Sequence, residues 1–262
     1  MEWRDEGIIL SVRPHGETAA IVEVLTRAHG RHLGLVHGGR SRRMRPTLQV
    51  GNHVSVAWRA RITESLGVFS VELFRPFASE VLHDPKALAA VSAIAELTRV
   101  LPERDPHAEL FEITHFVFGF LAEAEVWPAL YVRWELALLD ELGHGLDLSK
   151  CVATGATNDL VYVSPRSGQA VSRDAGVPYA EKLFKLPSFL RRQDIEARIA
   201  ATDASAAVDA AASAEPTSGM PQSDEIRAAL EMTGHFLARR VFGPIDRELP
   251  EPRGRLLRLL SR

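Results

Sequence analysis

Cysteine occurs once in these 262 residues, as Cys151. A single thiol excludes an intramolecular disulfide and fits a reducing compartment, so a cytoplasmic protein is expected. No apolar run approaches the roughly 18 residues of a membrane span. The opening MEWRDEGIILSVRPHGE has acids where a signal peptide would carry its basic region, so no export signal is expected. The familiar catalytic signatures are missing too. There is no GxGxxG after a strand, no GxSxG and no HExxH, and GGRSRR lacks both the Lys-Ser/Thr ending and the following helix of a phosphate-binding P-loop. The ten histidines are spread singly, and no nucleophile–base or carboxylate pair stands out, so no enzyme is expected. What remains, at 46% hydrophobic and 25% charged residues, is a globular chain able to bury a core.

The most informative absence is of one charge sign over one stretch. Residues 24–63 contain eight arginines, four histidines and no Asp or Glu. Residues 1–80 hold eleven basic and eight acidic side chains, and residues 81–150 hold five and twelve, in a chain of formal charge −3. A positive field confined to one module points to a polyanionic partner. It is densest in VHGGRSRRMRPTLQVG, residues 36–51, where Arg40, Arg42, Arg43 and Arg45 follow a Gly-Gly pair. Charge alone leaves phosphate, acidic peptide and plain solvent open as what these side chains face. A nuclear-localisation signal fits such a run as well, but nothing else in the sequence supports a nuclear protein. The stretch reads as a hairpin loop between a third and a fourth strand, turned by Gly38 and Gly39 and ended by Pro46.

Five β-rich runs fill the first eighty residues: GIILSVRP, TAAIVEVLT, RHLGLVH, NHVSVAWRARI and GVFSVELFRP. Ile21, Val22, Val24 and Leu25 are core candidates, and Leu33 and Leu35 share one face. Trp58 has the parity of Val54 and Val56, which places it in the core rather than on a base-stacking surface. Phe69 also lies on a strand, and His37 and His53 are weaker stacking platforms. Five short strands with no helical pattern among them suggest a small barrel such as an OB-fold. Strand counting alone does not separate that from an SH3-like barrel.

From Asp84 the hydrophobic period becomes helical. DPKALAAVSAIAELTRVLPE and DPHAELFEITHFVFGFLAEAE both open on Asp-Pro, an N-cap followed by proline in the first turn. The Phe111, Phe116, Phe118, Phe120 stripe in the second is expected in the core. PALYVRWELALLDELGHG supplies a third helix, and the three form an antiparallel bundle. Residues 147–180 break the pattern with a turn-rich insert around LVYVS. An Ala/Ser-rich stretch at about 199–221 reads as a flexible linker, and a last helix begins at Ser223. The expected domains are a basic barrel (1–80), a helical bundle (81–146), the insert (147–180) and a helical continuation (181–262).

The insert has the look of a zinc ribbon without its ligands. A C-x-x-C knuckle from Cys151 would place its second cysteine at Thr154, and a second knuckle would fall at Ser172 and Ala175. Thr, Ser and Ala supply no thiolate, and one thiolate does not make a tetrahedral zinc site. Cys151 is therefore expected to be a small, semi-buried apolar residue, and no metal or other cofactor is expected.

The order of these parts resembles the bacterial DNA repair protein RecO family. The resemblance is carried by GIILSVRPHGETAAIVEVLTRAHGRHLGLVHGGRSRR, LQVGNHVSVAWRAR, LLDELGHGLDLSKCVATGATNDLVYVSPRSGQAVS and IRAALEMTGHFLARRVF. It spans nearly the whole chain apart from the Ala/Ser tract. It implies an α+β protein, an N-terminal OB-fold β-barrel followed by an α-helical domain with a degenerate zinc-ribbon-like insert. It further implies a non-enzymatic, nucleoid-associated recombination mediator that binds single- and double-stranded DNA and anneals complementary strands. With RecR, such a protein helps load RecA onto strands coated by single-stranded-DNA-binding protein, whose acidic C-terminal tail it contacts. The family's DNA-binding barrel positions map onto Arg31, Arg40, Arg42, Arg43 and Arg45, with Arg59 and Arg61 as helpers. Many members carry four zinc cysteines, of which this chain keeps the first, as Cys151. The alternative is a protein–protein adaptor whose basic loop grips an acidic peptide tail rather than DNA.

Overall fold

A computed structural model describes residues 1–62, 65–191 and 221–261. The Ala/Ser-rich stretch expected to be a linker lies outside the described residues, except Pro221. The chain forms two compact units, Met1–Trp127 with Pro250–Leu259, and Pro128–Leu249 with Leu260–Arg262.

The first unit is built on five strands: β1 (Glu2–His15), β2 (Ala19–Thr26), β3 (Gly30–Val36), β4 (His53–Arg59) and β5 (Val68–Arg75). They close into a barrel in the order β1-β2-β3-β5-β4. The long β1 makes closure possible by serving two neighbours. Its first half pairs β4, from Glu2 opposite Arg59 to Ile8 opposite His53, and its second half pairs β2 as far as His15 opposite Ala19. A register shift between Ile9 and Ser11 bends the strand between those two duties. The barrel closes through a single parallel pairing of Leu35 with Val68.

Inward positions follow the two-residue period of a strand. Ile9, Val22, Val24, Val54, Val56, Trp58 and Phe69 form one buried cluster, as the sequence expectation for Trp58 holds. In β3 the interior side is His32, Gly34 and Val36, while Leu33 and Leu35 are only half-buried. Gly34 is glycine because the Phe69 ring occupies the place of its side chain: a Cβ there would lie 2.3 Å from that ring.

The expected hairpin is corrected by the strand order. β3 neighbours β2 and β5, and β4 neighbours β1 and β5, so residues 37–52 cross from one strand to a non-adjacent one. Successive turns fill this crossing, with the Ser41 N–H bonded to Gly38 O, Arg45 to Ser41 O and Leu48 to Met44 O. Leu48 is buried in the barrel cluster and Met44 packs against it, which anchors the connection from below.

Helix α1 (Pro85–Thr98) starts as its sequence indicates: the Asp84 carboxylate accepts hydrogen bonds from the Lys86 and Ala87 amides. The second Asp-Pro does not repeat this. Helix α2 (Ala108–Gly119) begins after His107 with no side-chain cap. The Asp105 backbone is instead committed to packing against Gly30, where an added Cβ would meet its carbonyl. The aromatic stripe divides as well. Phe111 and Phe118, seven residues apart, are buried, whereas Phe116 and Phe120 are exposed and lie against each other with centroids 4.8 Å apart.

The second unit contains α3 (Trp127–Glu141, from Pro128 onward) and a four-stranded sheet of β6 (Asp147–Cys151), β7 (Leu160–Val163), β8 (Gln169–Ser172) and β9 (Phe184–Lys185) in the order β6-β8-β7-β9. Helix α4 (Ser223–Phe236) continues into a π-helical stretch, Leu237–Phe242. The buried Glu135 carboxylate accepts hydrogen bonds from Tyr131 and Thr233 and joins α3 to α4. No helix among the described residues is long and apolar enough to cross a membrane.

Candidate nucleic-acid interface

The arginine-rich connection is a held platform rather than a loose loop. Gly38 provides the left-handed backbone (φ 64°) on which it turns out of β3. The Arg40 guanidinium donates to Gly16 O at 2.8 Å and Glu17 O at 2.9 Å, tying the connection to the β1–β2 turn. Carbonyls orient Arg40 without neutralising it. Gln49 donates to Arg45 O, and Asn52 donates to Pro46 O and Thr47 O, bracing the far end. On this support Arg42, Arg43 and Arg45 are exposed and make no side-chain hydrogen bond or ion pair with the described residues. Three uncompensated guanidinium groups on a braced backbone are suited to phosphate oxygens, which they can meet two bonds at a time.

Beside this platform the outer face of the barrel forms a groove of about 440 Å³, bordered by Arg4, His37, Met44, Arg59 and Ser70. Strand register explains why Arg4 and Arg59 share it. Arg4 pairs with Ala57, Ala57 with Ser70, and Arg59 with Val68, so these side chains occupy one outward surface. Arg59 is bonded to Glu2 at 2.9 Å, but both partners are largely solvent-exposed. Such a pair is worth about 0–1 kcal/mol and yields readily to a phosphate. Arg61, two residues beyond β4, is exposed and has no ion-pair partner among the described residues. Sequence reasoning missed Arg4. The signal was available: Trp3 is an inward residue of β1, so its neighbour faces out.

Arg31 is the member of the expected set that the fold sets apart. Its side chain is only 13% exposed and is paired with Glu23, which is 1% exposed. It also donates to Leu101 O and lies 3.7 Å from Glu103. Arg99 reaches the same Glu23 at 2.9 Å, and Ser11 donates to it at 2.9 Å. Arg31 therefore neutralises a buried carboxylate where barrel and α1 meet, and its charge is answered internally.

In the insert, three of the four ribbon positions, Cys151, Thr154 and Ser172, come together. Ser172 donates to the Cys151 sulfur from both its amide (3.3 Å) and its hydroxyl (3.4 Å), and Thr154 is hydrogen-bonded to it as well. Ala175 lies in the short helical turn that follows β8. Burial pushes the Cys151 thiol up, and the hydrogen bonds from Ser172 and Thr154 outweigh it, bringing the pKa down to about 6. One sulfur, two hydroxyls and a methyl do not fit a zinc ion. No cluster of three or more His, Cys, Asp or Glu suited to a metal occurs among the described residues.

A closed five-stranded barrel bearing an exposed arginine platform, followed by helices and a small four-stranded sheet, defines an α+β class of protein. Comparison with known proteins makes this particular. Residues 1–77 match the family described as Recombination protein O N terminal, and residues 82–214 match Recombination protein O C terminal. The chain is 45% identical to the DNA repair protein RecO of Methylorubrum populi over 261 residues, 99% of this chain and 98% of that protein. It is 44% identical to DNA repair protein RecO of Brucella abortus over 262 residues, covering 100% and 97% of the two chains. With that of Rhodospirillum centenum it shares 47% over 260 residues, covering 98% and 94%. The chain belongs to the RecO family of DNA repair proteins.

Proposed function

We propose that the barrel is of the OB type and grips DNA through its phosphates, and that the protein is a non-enzymatic recombination mediator. In this reading Arg42, Arg43 and Arg45 provide the primary contacts, Arg40 holds their platform in place, and Arg4, Arg59 and Arg61 extend the track along the groove. Arg31 is left out of the contact set because Glu23 answers its charge. The observation that carries the reading is the exposed, counter-charge-free arginine platform on a braced connection.

Annealing follows from the same chemistry. Two complementary strands repel as polyanions, and a surface that neutralises backbone phosphates without reading base edges lowers that repulsion for any sequence. No bond is made or broken by the protein. The helical parts are the proposed sites for RecR and for the acidic tail of single-stranded-DNA-binding protein, through which RecA is loaded on coated strands at the bacterial nucleoid. The insert works without zinc, its place taken by the hydrogen-bonded Cys151–Thr154–Ser172 group.

The test is annealing of complementary oligonucleotides, bare and coated with single-stranded-DNA-binding protein, at increasing salt. The protein accelerates annealing at low salt, and the acceleration falls steeply as salt rises. No acceleration of bare strands at low salt refutes the reading.

A further inference from the structure

A second cavity, of about 610 Å³, opens in the same unit at the end of the barrel where β1 begins and β4 ends. Its walls are aromatic. The Trp3 indole is sandwiched between His29, 4.1 Å away and nearly parallel at 7°, and Trp58, 5.6 Å away at 18°. His32 closes the cluster edge-on to both tryptophans, at 5.1 Å and 4.9 Å. Arg104 and Pro106, from the connection between α1 and α2, form another side. That connection is held over the β2–β3 turn by the Arg104 amide, which donates to Arg31 O at 2.8 Å.

The stack is built, and it is unfinished. Asp5 accepts from the His29 ring at 2.9 Å and from the Ala28 amide at 2.8 Å, so the imidazole is fixed in its plane. Trp3 covers one face of His29, yet the side chain keeps 35% of its surface exposed. Another flat ring can continue the column there. His32 is held below its ordinary pKa by burial, against the raising effect of its bond to Leu33 O, and so adds a neutral ring to the wall near pH 7. Arg104 lines the cavity, and the lining residue Glu2 is paired with Arg59, which Arg61 follows two residues on.

We propose that this cavity receives one unstacked nucleobase of a single strand whose phosphates lie over Arg59 and Arg61. The inference rests on the DNA-binding reading above and adds what that reading lacks, a source of strand preference. Phosphates are common to single strands and duplexes, but a paired base is already stacked inside its helix and cannot enter. Aromatic stacking takes any base, so the site discriminates strandedness without reading sequence.

The experiment compares the full-length protein with His29→Ala and His29→Phe variants, each checked for an unchanged melting curve. Three probes of equal length are used: oligothymidylate, an abasic strand with the same phosphates, and a duplex. The wild type binds oligothymidylate on the order of tenfold more tightly than the abasic strand. His29→Ala removes that difference and leaves abasic and duplex affinities as they were, while His29→Phe, which keeps a flat ring, retains it. Equal wild-type affinity for oligothymidylate and the abasic strand overturns the pocket and leaves the phosphate-binding reading standing. So does an equal loss on all three probes in His29→Ala, which would mark a charge contact. Unchanged DNA affinities with lost binding of an acidic peptide would assign the cavity to a peptide instead. Failure of the wild type to bind any of the three overturns both readings together.

Discussion

Replacing Arg42 and Arg43 with glutamine removes two exposed cations that support no other part of the fold. Neither side chain has a partner among the described residues, so folding stability changes by no more than about 0.5 kcal/mol. DNA binding responds in a way that counterion release makes quantitative. For single strands, log K falls with log salt by about 0.7 per phosphate neutralised, so losing two contacts makes the slope shallower by about 1.4. At roughly 0.1 M salt the same two contacts amount to about 1.4 decades of affinity, about 25-fold or 1.9 kcal/mol. Arg42→Glu with Arg43→Glu goes further and abolishes binding in moderate salt, because two attractive groups become repulsive. The assay is fluorescence anisotropy of a labelled single strand titrated at four or more salt concentrations, beside a thermal melt of each variant. A slope and affinity equal to those of the wild type refute the assignment of the platform to phosphates. A lower melting temperature with the same slope would move the two arginines from contact to structure.

Arg31→Gln behaves in the opposite sense: it leaves the salt slope unchanged and destabilises the first unit. Breaking a buried ion pair costs about 3–5 kcal/mol, and the remaining partners of Glu23, Arg99 and Ser11, reduce this to roughly 2–3 kcal/mol, measured by chemical denaturation. His53 gives a pH dependence. It is buried against Phe74, Phe77, Phe111 and His115, with Glu6 at 3.3 Å and Arg27 nearby. Burial first, and then His115, lower its pKa from 6.5 against the raising effect of Glu6. Below 6.5 the unfolded chain takes up this proton more readily than the folded one, so its contribution is present above 6.5 and lost as pH falls beneath it. The melting temperature of the wild type therefore drops between about pH 7 and pH 5 more than that of His53→Gln; parallel curves would remove His53 from that role.

Local patterns carried much of this protein. The strand runs, the inward parity of Trp58 with Val54 and Val56, and the Asp84 N-cap are written in two- and 3.6-residue periods, and the structure has them. The β1 strand begins earlier than its apolar run because EWRDE carries four charged residues around a single inward aromatic, Trp3, and this is how Arg4 escaped notice. The second Asp-Pro is locally as good a helix start as the first. It fails because Asp105 is held against Gly30, a residue seventy-five positions away. The same limit applies to Phe116 and Phe120, whose hydrophobicity says nothing about which face of α2 is covered.

Composition alone determined that the first module is cationic, that residues 24–63 hold no acid to offset it, and that one thiol cannot build the ribbon's zinc site. Which arginines are available was decided only in three dimensions. Arg31 and Arg42 are chemically alike, but strand pairing brings a buried Glu23 to one and leaves the other in solvent. The connection that carries Arg42 reads as a hairpin from its ends and is a crossing because the barrel places β5 between β3 and β4. The aromatic cavity is likewise tertiary. Trp3, His29 and Trp58 become one stack only when β1 pairs with β4 on one side and β2 on the other, since pairing between strands, rather than distance along the chain, sets which rings meet.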